Sequence, residues 1–248
     1  MNRRAFTLLE LLLCIVIIGA LVSLIAGSLA DARRKALGLR TLSHLRTTST
    51  ILHLYATDWR DAWPAFAQPG GSSTTIETSR GPLVVPFYFM SGLLWAAAIA
   101  DYSFDGNDRS PSLFDAEQVA AQGGVGGPTF LLSCALFADH QFWTSGARLG
   151  QSQWRGTRRF EVWRTDKKAL LVSPFVFHSE APIRNVAGPY GRFVAPMAFV
   201  DGSAHRVDSG NLRQGIMWGE GTFPGTFHTF DAYAGLHTIE GTRGTDIR

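Results

Sequence analysis

Twenty consecutive residues without a charge, Leu11 to Ala30, follow directly on a glutamate, Glu10. At 1.5 Å per residue a helix of that length is about 30 Å long, the thickness of a bilayer's hydrocarbon core. A secretory signal has a shorter apolar core, about 7–15 residues, ending in a small-x-small site. Ala26, Gly27, Ser28 and Ala30 supply small residues of that kind, and an uncleaved single-span anchor is the other simple reading. Glu10 fits neither. A carboxylate at the centre of a membrane helix costs about 2–3 kcal/mol on insertion scales, and less near the helix end. No Lys or Arg occurs between Phe6 and Ala32. Compensation then comes from interfacial water, the chain's own terminus or another molecule, and a helix N-terminus favours negative charge through its dipole. A cut between Ala5 and Phe6 would create an α-amine four residues from Glu10. A neighbouring copy displaced along the helix axis could set its own amine against this carboxylate.

The order Arg3-Arg4-Ala5, then Phe6-Thr7-Leu8-Leu9-Glu10, then the apolar run from Leu11 resembles the processing motif of the type IV prepilin family, which includes type II secretion pseudopilins. That motif is Gly, then Phe-Thr-Leu-Ile-Glu, then a long apolar helix; Ala5 stands here in place of the Gly. The resemblance implies that a prepilin peptidase cuts after Ala5 and methylates the Phe6 amine, and that Glu10 serves assembly. It implies as partners other pilin or pseudopilin subunits, an inner-membrane secretion or pilus assembly platform and, before assembly, membrane lipid. It also implies a single pass through a bacterial inner membrane, with the soluble domain in the periplasm or in an extracellular filament. The cytoplasmic N-terminus rests on the resemblance, because Arg3 and Arg4 on one side face Arg33, Arg34 and Lys35 on the other and the positive-inside rule does not choose.

Beyond the span the chain has enough residues for one substantial domain. Apolar residues make up 46% and charged residues 17%, a balance suited to a folded domain and not to a disordered tail. The formal charge is +3, and loss of Arg3 and Arg4 would leave +1, so charge gives no case for nucleic acid binding. Cys14 lies in the apolar helix and Cys134 far away. No intramolecular disulfide is expected, although an exported location would permit one.

Leu42, Leu45, Leu52 and Tyr55 recur on one helical face, and no Pro precedes Pro64, which predicts a single helix from Phe6 to about Asp58, roughly 80 Å long. The expected organisation is a leader at 1–5, a transmembrane and assembly helix at 6–30, the soluble half of that helix at 31–58, and a globular domain at 59–248. Within it, 70–79 reads as a Gly/Ser/Thr-rich loop and 93–100 as a short buried helix. Arg159–Trp163 and Ala169–Ser173 read as strands joined through 165–168. Asp201-Gly202 between 193–200 and 203–207 is a strong hairpin signal, and the polar stretch 234–248 reads as mobile. Leu54-Tyr55-Ala56-Thr57-Asp58 and Ala198 to Ser203 resemble segments of a subset of bacterial pseudopilin-like proteins, although Gly191 stands where that subset has a His. The fold class is α+β, pilin-like: a long N-terminal helix packed on an antiparallel sheet.

The histidines lack HxxxH or HExxH spacing, no GxSxG occurs, and no GxGxxG follows a strand, so metal hydrolysis, acyl transfer and dinucleotide chemistry have no motif here. The reading is a structural subunit and not an enzyme. The competing reading is an uncleaved, membrane-anchored periplasmic binding or sensing domain; an anchored hydrolase would need a purely spatial cluster. Most of the seven tryptophans are expected in the core. Arg155–Arg159 reads as a solvated basic loop. Asp101, Ser103, Asp105 and Asn107, with Gly106, match the first half of a calcium loop, but its twelfth position is Ser112 and not the closing Glu. If calcium binds, millimolar calcium raises the melting temperature of the chain; no shift removes this reading in favour of a plain Asp/Gly turn.

Overall fold

A computed structural model describes residues 8–68, 73–78, 81–103, 110–116, 119, 130–173, 176–177, 182–183, 194–213, 215 and 238–248. The chain divides into two compact units, Met1–Leu39 and Arg40–Arg248. Helix α1 runs Leu8–Asp58, and the strands β1 (Thr74–Thr78) to β8 (Ala204–Asp208) follow in antiparallel sheets. The architecture is the expected α+β, with a pilin-like layout.

The part of α1 in the second unit presents two kinds of surface. Leu45, Leu52 and Ala56 are fully buried, and Leu42 and Tyr55 pack against the same core, as their spacing predicts. Beside this apolar stripe runs a polar one. The Thr41 hydroxyl donates to Asp115 Oδ1 at 2.9 Å and accepts from the Ala116 amide at 3.0 Å. His44 Nδ1 lies 2.8 Å from the Phe114 carbonyl oxygen, and the Thr48 hydroxyl donates to the Ser112 carbonyl at 2.8 Å. Asp115 Oδ2 accepts from the Ser173 hydroxyl at 2.7 Å. Thus one buried carboxylate ties the helix to the segment that leaves the central sheet. Burying such groups is tolerable only because each finds a partner.

Helix α1 ends where Arg60 and Asp61 take left-handed backbone angles, φ +55° and +64°, conformations that ordinary residues adopt at a cost of about 1–2 kcal/mol. The turn is held from outside. Arg159 donates to the Asp61 carboxylate at 2.5 Å and to its carbonyl through the backbone at 2.8 Å, and the Trp63 amide donates to the Thr157 carbonyl at 3.2 Å.

The main sheet has the order β3-β4-β7-β8, with β3 Leu131–Leu132, β4 Ala169–Val172 and β7 Val194–Phe199. Register explains its two faces. Leu132, Leu171, Ala198 and Ala204 align across the strands and enter the larger core, whereas Leu131, Val172, Met197, Ala195 and Val207 align on the opposite face and enter a second, smaller core. The pairs Ala169↔Phe199 and Leu171↔Ala198 leave Leu170 as an extra residue, a bulge that turns it into the larger core. The β7–β8 hairpin forms where Asp201-Gly202 predicts it: Gly202 has φ +87°, and the Asp201 carboxylate accepts from the Ser203 amide and hydroxyl at 2.8 and 2.6 Å.

Helix α2 (Ser91–Ala98) buries Trp95, whose indole donates to the Phe130 carbonyl at 3.0 Å. It lies so close to β3 that a Cβ on Gly92 would stand 2.8 Å from the Leu132 carbonyl oxygen, a space only glycine leaves. Helix α3 (Ala100–Ser103) follows, and its Tyr102 hydroxyl donates to the Asp58 carboxylate.

Three sequence expectations are corrected. Thr74–Thr78 is not loop but strand β1, paired with β2 (Gly81–Val85); its Thr/Ile content suits a strand better than the surrounding glycines suggest. Arg159–Glu161 is a single 3₁₀ turn and does not pair with Ala169–Val172. Glu161 caps it by accepting from the Arg158 amide at 2.8 Å. The stretch 238–248 is also not a mobile tail: Thr238, Thr242 and Asp246 are buried.

The third correction has a specific cause. Lys168, at the entry to β4, has no exposed surface. Its ammonium donates to Ser133 Oγ at 3.2 Å, to Asp246 Oδ2 at 3.0 Å and to Thr238 Oγ1. Asp246 also accepts from the Ala169 amide at 2.8 Å and from the Thr238 hydroxyl at 2.6 Å. All three ammonium protons and both carboxylate oxygens are used. Burial pulls the Lys168 ammonium below its ordinary range, and the Asp246 charge and hydrogen bond act against that. Losing one member strands the other. Lys168→Met or Asp246→Leu alone is expected to cost about 3–5 kcal/mol, and the double substitution to recover most of it, read by chemical denaturation of the detergent-solubilised chain.

Candidate functional site

The first unit carries the features that the sequence singled out. From Leu8 to Ile25 the large apolar side chains of α1 are at least half exposed, and its most apolar window has no buried share. In water this surface would be unfavourable at roughly 25 cal/mol per Å². It is long and apolar enough to cross a membrane. The helix hides its own polar atoms, since Ser23 Oγ donates to the Ala20 carbonyl and Ser28 Oγ to the Ile25 carbonyl, both at 2.9 Å. Such back-bonding removes the cost of a bare hydroxyl in an apolar medium. A Cβ on Gly19 or Gly27 would meet nothing within 4 Å, so both present open backbone that a neighbouring helix can approach closely.

Glu10 lies in the first turn of α1 and is exposed. There the helix dipole favours its negative charge. Polar character returns at Asp31, which forms an i,i+4 ion pair with Lys35 at 2.9 Å. The hydrogen bond from Lys35, and then its charge, hold the Asp31 carboxyl below the usual carboxylate range.

Ala5 and Phe6 lie outside the described residues, as do Asp105 and Asn107. Asp101 and Ser103 fall on α3, with only their backbone described. The calcium pattern is therefore neither assembled nor dispersed by what is described. Among the described residues no group of three or more His, Cys, Asp or Glu side chains is placed to hold a metal ion. His44 is instead used in the helix-docking contact, and His53 packs edge-on against Trp63 with ring centres 5.5 Å apart. Burial pushes the Cys134 thiol up to about 12, so it stays protonated at neutral pH.

The Arg155–Arg159 segment is not simply a solvated loop. Arg155 grips Glu161 through both guanidinium amines at 2.9 and 2.6 Å and Asp139 through Nε at 2.5 Å. Burial opposes ionisation of Glu161, yet the bonds from Arg155 and from the Arg158 amide hold its carboxyl below the usual range. These groups border a cleft of about 290 Å³. Sequence reading missed it because its walls come from three stretches, 139–141, 155–163 and 242–243, that no local pattern links.

No curated protein and no solved structure matches the chain. Residues 1–26 match the family described as the prokaryotic N-terminal methylation motif. With the long apolar helix that continues it, this match establishes that the chain carries the type IV prepilin-like signature.

Proposed function

We propose that this chain is a prepilin-like structural subunit. A prepilin peptidase cuts it after Ala5 and methylates the Phe6 amine, and the product enters a type II secretion pseudopilus or a type IV pilus-like filament. The observation that carries this reading is the methylation motif at residues 1–26 leading into a helix whose apolar surface is uncovered. Before assembly that surface sits in lipid. In the filament, neighbouring copies of the same helix replace the lipid, held by packing at small residues and not by a hydrophobic difference.

The cut also changes electrostatics. It removes Arg3 and Arg4 and places a new cation one helical turn before Glu10. Between neighbours displaced along the axis, that amine and this carboxylate neutralise each other inside a medium of low dielectric, where a misaligned pair is far more costly than in water. Glu10 thus sets the axial register of assembly and has no catalytic role. The soluble unit, Arg40–Arg248, stays outside in the periplasm or on the filament surface.

Mass spectrometry of the chain from cells that contain the peptidase should find N-methylated Phe6 as the first residue. An intact Met1 there would favour the uncleaved anchored domain instead. Glu10→Leu should leave membrane insertion intact, or improve it by up to about 2–3 kcal/mol. Filament yield should fall at least about tenfold, which needs a loss of only about 1.4 kcal/mol per contact. Unchanged assembly of the Leu variant would remove the register role while leaving the processing role in place.

A further inference from the structure

The cleft beside Arg155 has a composition that selects its ligand. Among the described residues that line it, Trp163 supplies the one large apolar surface, and the others are polar or charged. Pockets for apolar ligands are lined mainly by hydrophobic side chains, so this cleft is unsuited to them. Nor does it select a strongly charged ligand. Asp139 and Glu161 are both gripped by Arg155, and Arg243 lies over the Trp163 ring at 4.7 Å, so two positive and two negative charges balance within the walls.

The remaining features are a flat ring and planar polar groups. Trp163 is 67% exposed, although its backbone is fixed by donation to the Thr242 carbonyl at 3.2 Å. Arg243 covers one face of the indole and holds the ring in place, so a ligand ring has the remaining exposed surface to stack on. Around it stand carboxylate, guanidinium and carboxamide groups from Asp139, Glu161, Arg155, Arg243 and Gln141. Carboxylate oxygens accept more than one hydrogen bond each, and carboxamides both donate and accept. A ligand that meets all of this is neutral, has one flat face of C–H groups, and carries a rim of hydroxyls that donate and accept. That is the chemistry of a pyranose sugar. We infer that the cleft bordered by Trp163, Arg155 and Gln141 is a binding site for a neutral carbohydrate, with one sugar ring stacked on the indole. This site lies within the second unit and does not depend on processing at Phe6.

The test uses the full chain in a zwitterionic detergent, because the sugar headgroup of a maltoside would compete. Cellotriose, maltotriose and N,N′-diacetylchitobiose are titrated by calorimetry, with saturation-transfer NMR on the sugar protons. At least one should bind saturably with a Kd of about 1 mM or tighter, its ring C–H protons receiving the strongest transfer. Trp163→Ala should weaken it at least about tenfold without lowering the melting temperature, since an exposed indole contributes little to the fold. Gln141→Ala should weaken it less. Three results would overturn the inference: no saturable binding of any of these sugars up to about 20 mM, more than tenfold above that Kd; equal binding by Trp163→Ala; or binding of a triglutamate peptide in preference to the sugars.

Discussion

The globular unit depends on one charge that cannot reach water. Lys168 sits where the chain enters the central strand β4, and its ammonium is held by Asp246, Thr238 and Ser133. Through these partners the end of β3, the start of β4 and the stretch 238–248 share one point. A well-packed apolar substitute can match a buried ion pair in stability. What the pair adds is direction, since an ammonium in this position tolerates only the arrangement that brings Asp246 to it. The Asp246 backbone then continues the tie, with the Arg213 amide donating to its carbonyl at 2.8 Å, and Leu212 and Ile247 forming a bridge.

Helix α1 shows how one secondary structure serves two solvents. In the first unit its large side chains are exposed and its serines bond their own backbone. In the second, Thr41, His44 and Thr48 bond to other parts of the domain, and Leu45 and Leu52 are buried. The first part has what lipid or like helices require, with the Ser23 and Ser28 hydroxyls bonded to their own backbone. The second has what a protein core requires, apolar packing with Thr41, His44 and Thr48 each directed to a partner.

What was legible in the sequence was local. The length of the apolar run, the motif around Phe6, the leucine face of α1 and the Asp201-Gly202 turn depend on residues within a few positions of each other. The misses depend on distance. Nothing near Lys168 points to a partner 78 residues away, so 234–248 looked merely polar. Arg159–Trp163 looked like a strand because its alternation is real, but the Arg155 grip on Glu161 and the Glu161 cap on the Arg158 amide favour a turn. The tryptophans were half legible. Trp63, Trp95 and Trp143 are buried as their size suggests, whereas Trp59 and Trp163 are exposed, and only the surrounding charges give Trp163 a surface purpose. The cleft itself was invisible, since residues 139 and 243 meet only in the folded chain.

The strand order carries a temporal consequence. Strand β4 lies between β3, which precedes it by more than thirty residues, and β7, which follows it by more than twenty. A chain that emerges with its N-terminus first presents β3 and β4 before β7. They then wait with an unpaired backbone edge and uncovered apolar faces until β7 arrives, and Lys168 waits longer for its counter-charge. Non-local pairing of this kind folds slowly and cooperatively. During that interval the polypeptide exposes unpaired strand edges, so association with other chains competes with closure of the sheet. The strand order thus makes the delay before β7 pairs, and not the stability of the finished sheet, the point at which aggregation is avoided.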